Sequence, residues 1–173
     1  MEQWKTEFEV SPYTLAILAE ETDEGDLISF IVEKNESFYV KESPKKIIDQ
    51  ACKFFGSSLR GRQDGTKDVC GITHKAPIAI DPASGMYFFP TTSPQNKLCS
   101  WIAHSHIDYI KRSDDNLRTI IAFTNQKAVA LVVSQGSIGN QIQRTAQFRY
   151  KLNERLQYSP RHGSHEQVAE PFG

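Results

Sequence analysis

The first forty residues alternate between short apolar runs and polar turns. Residues 14–18, 27–32 and 38–40 are rich in β-branched, aliphatic and aromatic side chains, which fit the pleated surface of a sheet. The acidic segment "EETDEGD" separates the first two runs and is typical of a turn. The pattern therefore predicts three strands in this part of the chain.

Apolar positions take a helical period in two places. Ser43 followed by Pro44 is typical of an N-cap with proline at the first helical position, and apolar residues then recur at helical spacing until Gly56. A longer helical pattern precedes Pro160. Its apolar arc holds Ile138, Ile142, Thr145, Leu152 and Leu156, with Phe148 at the margin. These patterns predict two main helices, over residues 43–55 and 138–157.

Between the two predicted helices the pattern is that of strands. Residues 69–89 form short apolar runs broken by glycines and prolines, and "PTTSPQN" is predicted as a loop. Residues 100–110 alternate strictly, which predicts one strand with two distinct faces. "RTIIAFT" and "AVALVVS" flank "NQK" and predict a hairpin.

Together these elements predict one α+β domain with a largely antiparallel sheet. The predicted domain covers residues 1–158, and residues 159–173, which lack periodicity, are predicted to be a flexible tail. A length of 173 residues with 39% hydrophobic content suits a single core. No run reaches the roughly 20 apolar residues of a membrane span, and no secretory signal is recognisable, so we expect a cytoplasmic protein without a membrane partner.

Charge is distributed unevenly along the chain, although the formal net charge is −1. Residues 1–40 are strongly acidic, whereas residues 41–75 and 144–161 each carry a clear excess of Lys and Arg. A basic face on a near-neutral protein is the electrostatic pattern of nucleic-acid binding. The three cysteines form no Cys-x-x-Cys pair and are expected to be free thiols.

The segment "GSSLRGRQDGTK", residues 56–67, spaces two glycines as a phosphate-binding loop does. A P-loop also needs Lys and Ser or Thr after the second glycine, where this chain has Arg62 and Gln63. The segment follows a helix and contains Asp64-Gly65, which is typical of a turn. We therefore expect a flexible basic loop that contacts the phosphates of a polyanion, not a nucleotide site.

The expected DNA contacts are basic residues in the two basic segments. Arg144, Lys151 and Arg155 lie seven and four positions apart, so they share one stripe of the last helix. Arg60 and Arg62 are expected to contact DNA without stabilising the fold. The full predicted set is Lys53, Arg60, Arg62, Lys67, Arg144, Lys151 and Arg155.

A metal site is the main alternative chemistry. His104, His106 and Asp108 would project from one face of the predicted strand 100–110, and two histidines two positions apart can share a metal ion. A metal-dependent enzyme using this face therefore stays an alternative, but no third ligand can be placed. No metal, cofactor or catalytic residue is predicted.

Several segments in order resemble the ComK family of competence transcription factors. They are "CKFFGSSLRGRQDGTKDVCGITHKAPIAIDP", "FFPT", "CSWIAHSHI", "FTN" and "NQIQRTAQFRYK", and the resemblance covers residues 8–158. It implies a transcriptional activator of DNA-uptake genes. It also implies a homo-oligomer that binds paired AT-rich boxes of double-stranded DNA, largely through the minor groove, at the nucleoid.

The resemblance implies further partners. An activator has RNA polymerase as a candidate partner, and family members are delivered to a Clp protease by an adaptor. The better-known member carries the adaptor segment in a longer C-terminal extension than "HEQVAEPFG", so this partner stays open, as does a short paralogue without full activator function. A further alternative is an interaction module in which acidic residues 1–40 bind a basic partner.

Overall fold

A seven-stranded sheet forms the middle layer of the protein. The computed structural model describes residues 2–157, and the tail predicted at 159–173 lies outside them. The strands run in the order β1-β4-β3-β2-β7-β6-β5 and are antiparallel except for the β1–β4 pair. They are β1 (Trp4–Lys5), β2 (Thr14–Glu21), β3 (Leu27–Glu33), β4 (Ser37–Val40), β5 (Ile78–Asp81), β6 (Met86–Pro90) and β7 (Trp101–Ala103).

Three helices and a smaller sheet complete the fold. The second sheet is antiparallel in the order β10-β9-β8, with β8 (Ile107–Arg112), β9 (Thr119–Phe123) and β10 (Ala128–Leu131). The helices are α1 (Pro44–Phe54), α2 (Leu59–Cys70) and α3 (Gln135–Gln157). The predicted α+β class is thus confirmed. Within residues 2–157, no helix has the length and apolar character needed to cross a membrane.

Each face of the large sheet is covered by its own hydrophobic cluster. On one face, Ile17, Ile31 and Trp101 pack with α1 and the first turn of α2. On the other, Ala16 and Ile102 pack with the small sheet and the first half of α3. Because strand side chains alternate between faces, the inner strands are apolar at successive positions. The result is three layers, with the large sheet between the α1–α2 pair and the small sheet with α3.

The N-terminal strands, helix α1 and the hairpin β9–β10 lie where the sequence predicts them. The Ser43 hydroxyl accepts a hydrogen bond from the Lys46 N–H at 3.2 Å, which caps α1, and Pro44 is its first residue. Gly56, just after α1, has φ +84°, a conformation that glycine adopts without strain. These elements confirm the interpretation of the local patterns.

The flexible basic loop predicted within residues 56–67 is wrong, because most of this segment is helix α2. Ser58 caps the helix by accepting a hydrogen bond from the Gly61 N–H at 2.9 Å, and Gly71 ends it in the left-handed region. A Cβ at position 61 would lie 2.6 Å from Ser57 Oγ, so the protein's own turn fills the space beside this glycine. Capping and packing therefore override the low helix propensity of the two glycines and Asp64.

The single strand predicted over residues 100–110 is also wrong. The chain leaves the large sheet after Ala103, turns in a 3-10 helix at His104–His106, and starts β8 of the other sheet at Ile107. In this turn the Ser105 hydroxyl donates to the Gly85 carbonyl at 2.7 Å. Apolar and polar residues alternate without a break through residues 100–110, so the sequence pattern gave no sign that the chain passes from one sheet to the other.

Helix α3 begins at Gln135 and ends the described region at Gln157, close to its predicted span. Its buried residues are Ile138, Gln141, Thr145 and Phe148. Leu156 is 59% exposed, contrary to the predicted apolar arc, whereas Phe148 is 2% exposed and packs on Tyr87. Compared with the predicted apolar arc, the buried face of α3 is therefore rotated toward Phe148, and the helix is more exposed near its C-terminal end.

All three cysteines have free thiols. Cys52 and Cys99 are buried, and this burial raises the pKa of Cys52 to about 12 and also raises that of Cys99. Because the thiolate is the reactive form, these two thiols are unreactive components of the core.

Candidate nucleic-acid interface

A broad, open groove runs between the N-terminal half of α1, the outer face of α2 and two loops. It encloses about 1020 Å³. The loop from α2 to β5 forms one wall with residues 73–76, and the loop after β6 contributes residues 93–95. The charged residues that line it are Lys45, Lys46, Asp49, Arg60, Asp64, Lys67 and Lys75. We call this feature the basic groove.

Helix α2 supplies the floor of the basic groove through one of its faces. Arg60, Gln63, Asp64 and Lys67 line the groove, and their spacing of three and four positions puts them on the same side of the helix. Another side of the helix is turned inward, where Thr66 is 0% exposed. The segment predicted as a loop therefore presents its bases from a rigid element.

Helix α1 lies beside α2 and is joined to it through Asp49. The Asp49 carboxylate accepts a hydrogen bond from the Leu59 N–H at 2.9 Å and forms an ion pair with Lys53 at 3.0 Å. The Leu59 hydrogen bond lowers the pKa of Asp49, and Lys53 adds to this effect. The charged carboxylate thus sits at the N-terminus of α2, where negative charge is favourable, and fixes the helix pair.

Positive charge in the basic groove exceeds negative charge. Lys46 has an ion pair with Glu42 at 3.6 Å. Within residues 2–157, no ion pair involves the other four bases of the groove: Lys45, Arg60, Lys67 and Lys75. Exposed amino and guanidinium groups without a protein carboxylate are available to neutralise phosphates.

Two of the seven predicted DNA contacts, Arg60 and Lys67, line the basic groove and are exposed. Lys53 lies at the groove's edge in its ion pair with Asp49. Arg62 is part of α2 but does not line the groove. Its Nη2 donates to the carbonyls of Phe55 at 3.3 Å and Ile80 at 3.2 Å. Arg62 therefore has a clear structural role, which the sequence did not predict.

The three bases of the predicted stripe on α3 have different contacts. Arg144 donates from Nη1 to Gln141 Oε1 and from Nη2 to the His74 carbonyl, both at 2.5 Å. Arg155 pairs with Asp68 of α2 at 2.7 Å. Lys151 is exposed and does not line the groove. The stripe therefore serves mainly to attach α3, although contact of these bases with DNA stays a prediction.

The histidine face proposed for a metal does not form, because the turn at residues 104–106 separates its members. His106 Nε2 contacts the Pro12 carbonyl at 2.6 Å, while His104 is held by α3. Across residues 2–157, no group of three or more His, Cys, Asp and Glu side chains is arranged to hold a metal ion. The predicted strand geometry, on which the alternative of a metal-dependent enzyme was based, is therefore wrong.

His104 instead forms part of the contact between α3 and the large sheet. Its Nε2 donates to the Ile142 carbonyl at 3.2 Å, and its Nδ1 accepts from Arg149 Nη1 at 3.0 Å, which requires a neutral ring. Arg149 also lies 4.6 Å from the centre of the Tyr87 ring. Burial, followed by the positive charge of Arg149, lowers the pKa of His104.

We expect the free energy of unfolding to fall as the pH drops from 7.5 to 5.5. The unfolded chain binds a proton at His104 near pH 6.5, whereas the folded chain resists protonation until a lower pH, so acid favours unfolding. Urea titrations at several pH values measure this dependence. His104→Gln should flatten it, and an equally steep dependence in that variant would contradict the role of His104.

Lys45, Lys46 and Lys75 are groove residues that the sequence did not single out. All three belong to the basic segment 41–75, so the charge distribution contained the signal. Their grouping depends on α2, which was missed, and on the path of the following loop. Charge alone could not say which of the eight bases in that segment share a surface.

The fold is a small α+β domain in which a helix pair presents an excess of basic side chains along one groove. The chain belongs to the ComK family, since the family model described as "ComK protein" matches residues 5–157. It is similar to the competence transcription factor of Bacillus subtilis (strain 168), with 41% identity over 151 residues. That match covers 87% of this chain and 78% of the relative. No solved structure shows significant similarity.

Proposed function

We propose that the protein is a transcriptional activator of competence genes that binds double-stranded DNA in the basic groove. The observation that carries the proposal is a set of four bases on α1, α2 and the adjoining loop that have no ion pair within residues 2–157. Membership of the ComK family and the name of the Bacillus subtilis relative support the regulatory role. On this proposal the protein is not an enzyme and acts at the nucleoid.

Of the seven predicted contacts, we propose Arg60 and Lys67 as direct DNA ligands, together with Lys45 and Lys75. Lys53 can reach phosphates from the edge of the groove. Arg62, Arg144 and Arg155 already have protein partners and act mainly by holding the fold. Lys151 lies outside the groove and would contact DNA only if the duplex extended along α3.

The finer proposal is that the target is AT-rich and is approached through the minor groove. Narrow A-tract minor grooves have a strongly negative potential that attracts arginine and lysine, so a group of arginine and lysine side chains along one groove suits them. Binding to paired boxes would need more than one copy of the protein. Sedimentation of the protein with a two-box duplex should then give a complex that contains at least two copies.

Gel shifts with AT-rich and GC-rich duplexes of equal length test this function. The protein should prefer the AT-rich duplex, and a small-molecule minor-groove ligand should displace it. About five neutralised phosphates predict that log affinity falls against log salt concentration with a slope of about −4 to −5. Equal affinity for both duplexes, unaffected by the competitor, would contradict the specific-binding proposal.

A further inference from the structure

One wall of the basic groove is a loop that lacks regular structure, between Gly71 and the start of β5 at Ile78. Residues 73–76 of this loop line the groove. Lys75 has φ +49°, in the left-handed region that non-glycine residues rarely adopt. Such a conformation persists only where surrounding contacts enforce it. Contacts with other parts of the fold must therefore hold the loop in this conformation.

Helix α3 supplies contacts that hold this loop, through a fully buried amide. Gln141 is 0% exposed, and its Nε2 donates to the Lys75 carbonyl at 2.9 Å and to the Pro90 carbonyl at 2.8 Å. These two bonds use both of its amide hydrogens. The strained residue of the wall is thereby connected to the end of β6 in the large sheet.

Arg144 extends the same connection by one residue along the wall. Its Nη1 donates to Gln141 Oε1, which fixes the orientation of the amide, and its Nη2 donates to the His74 carbonyl. On the side of α2, the Thr66 hydroxyl donates to the Pro77 carbonyl at 2.6 Å. The loop is thus held at the carbonyl groups of residues 74, 75 and 77, the first two by α3 and the third by α2.

We propose that Gln141 and Arg144 are positioning residues for DNA binding, because they hold the His74–Lys75 wall against the bases of α2. This inference rests on the proposed function. Arg144 acts here through the wall and not as a phosphate ligand, since both terminal nitrogens of its guanidinium are bonded to protein atoms. The spacing between Lys75 and the α2 residues Arg60 and Lys67 is consequently set by α3.

The first test examines the wall in the absence of DNA. Hydrogen–deuterium exchange of a peptide covering residues 71–77 is measured in the parent protein, Arg144→Met and Arg144→Lys. Both variants should speed exchange in this peptide, because lysine retains the charge but lacks the planar fork that bridges two acceptors. Unchanged exchange in Arg144→Met would overturn the proposal that α3 holds the wall.

The second test separates positioning from direct phosphate contact. Arg144→Lys should weaken binding to an AT-rich duplex by about tenfold, the loss of one charge-assisted hydrogen bond, while the slope of log affinity against log salt stays that of the parent. Parent-like binding by Arg144→Lys, combined with a slope less steep by about 1 in Arg144→Met, would identify a phosphate ligand and overturn positioning. Faster exchange without any change in affinity would also overturn it.

A matched control guards against general destabilisation. Thr145 is buried on α3, one position after Arg144, and its hydroxyl donates to the Gln141 backbone carbonyl at 2.7 Å. Thr145→Val should reduce stability without selective exchange in residues 71–77 or a tenfold loss of affinity. If the parent bound no DNA, the proposed function would fail, while the exchange test would still decide whether α3 holds the wall.

Discussion

Replacing Arg60 and Lys67 together by glutamate will weaken binding to an AT-rich duplex by at least about 100-fold at 0.1 M salt. Each neutralised phosphate contributes a slope of about −0.9, or roughly eightfold in affinity at this salt concentration. Removing two contacts costs roughly 60-fold, and the new negative charges repel the phosphates further. Arg60 and Lys67 lie on the same face of α2, so both losses fall on one surface.

The same double variant should keep the melting temperature of the parent. Both side chains are exposed, and neither has an ion pair within residues 2–157. Substitutions at such surface positions usually change the free energy of unfolding by less than about 0.5 kcal/mol. A loss of affinity at unchanged stability would therefore reflect the interface and not the fold.

Lys111→Glu combined with Arg112→Glu is the matched control for net charge. These two bases are exposed on β8 of the small sheet, outside the basic groove, and their reversal changes the net charge by the same amount. The control should lose far less affinity than the α2 variant. Equal losses in the two variants would mean that DNA senses only overall charge, and the basic groove would not be the interface.

The parts of the fold that local pattern can specify were predictable. The strands of the first forty residues, helix α1 and most of α3 each combine a regular apolar period with recognisable ends such as Ser43 and Pro44. Helix α2 was not predictable in this way. Gly61, Asp64 and Gly65 favour a turn locally, and the helix exists because Ser58 caps it and its inner face packs against the core.

The candidate site shows the same division between local and tertiary information. Arg60 and Lys67 were recognisable as candidate phosphate ligands because charge is visible in the sequence. The different roles of Arg60 and Arg62 were not, since they depend on which side of α2 faces the carbonyls of Phe55 and Ile80. The positioning of Lys75 by Gln141 joins residues 66 positions apart and could come only from the packed structure.

Arg62→Met should destabilise the protein by about 2 kcal/mol. The Arg62 guanidinium connects the end of α1, through the Phe55 carbonyl, with the edge strand β5, through the Ile80 carbonyl. Hydrogen bonds of charged groups contribute about 1.5–3 kcal/mol each. The bonds are long, at 3.3 and 3.2 Å, and the buried Nε has no hydrogen-bond partner within residues 2–157, so we expect the two bonds together to contribute about 2 kcal/mol, close to the value of a single such bond. Methionine retains much of the apolar stem, so packing changes little.

Thermal and urea unfolding, followed by far-ultraviolet circular dichroism, measure this effect. For a chain of this size, 2 kcal/mol corresponds to a melting temperature lower by about 4–8 °C. Arg60→Met is the control, because it removes the same side chain from the exposed face of the same helix. We expect Arg60→Met to keep the parental melting temperature within about 1 °C, since exposed substitutions change little.

The same two variants also assign charge and structure separately in DNA binding. Arg60→Met should make the slope of log affinity against log salt less steep by about 1, as the loss of one phosphate contact does. Arg62→Met should lower affinity only through displacement of α2, and the slope should stay that of the parent. An Arg62→Met protein with parental stability and a reduced slope would instead make Arg62 a phosphate ligand, and the helix pair would owe its placement to Asp49 and the apolar core alone.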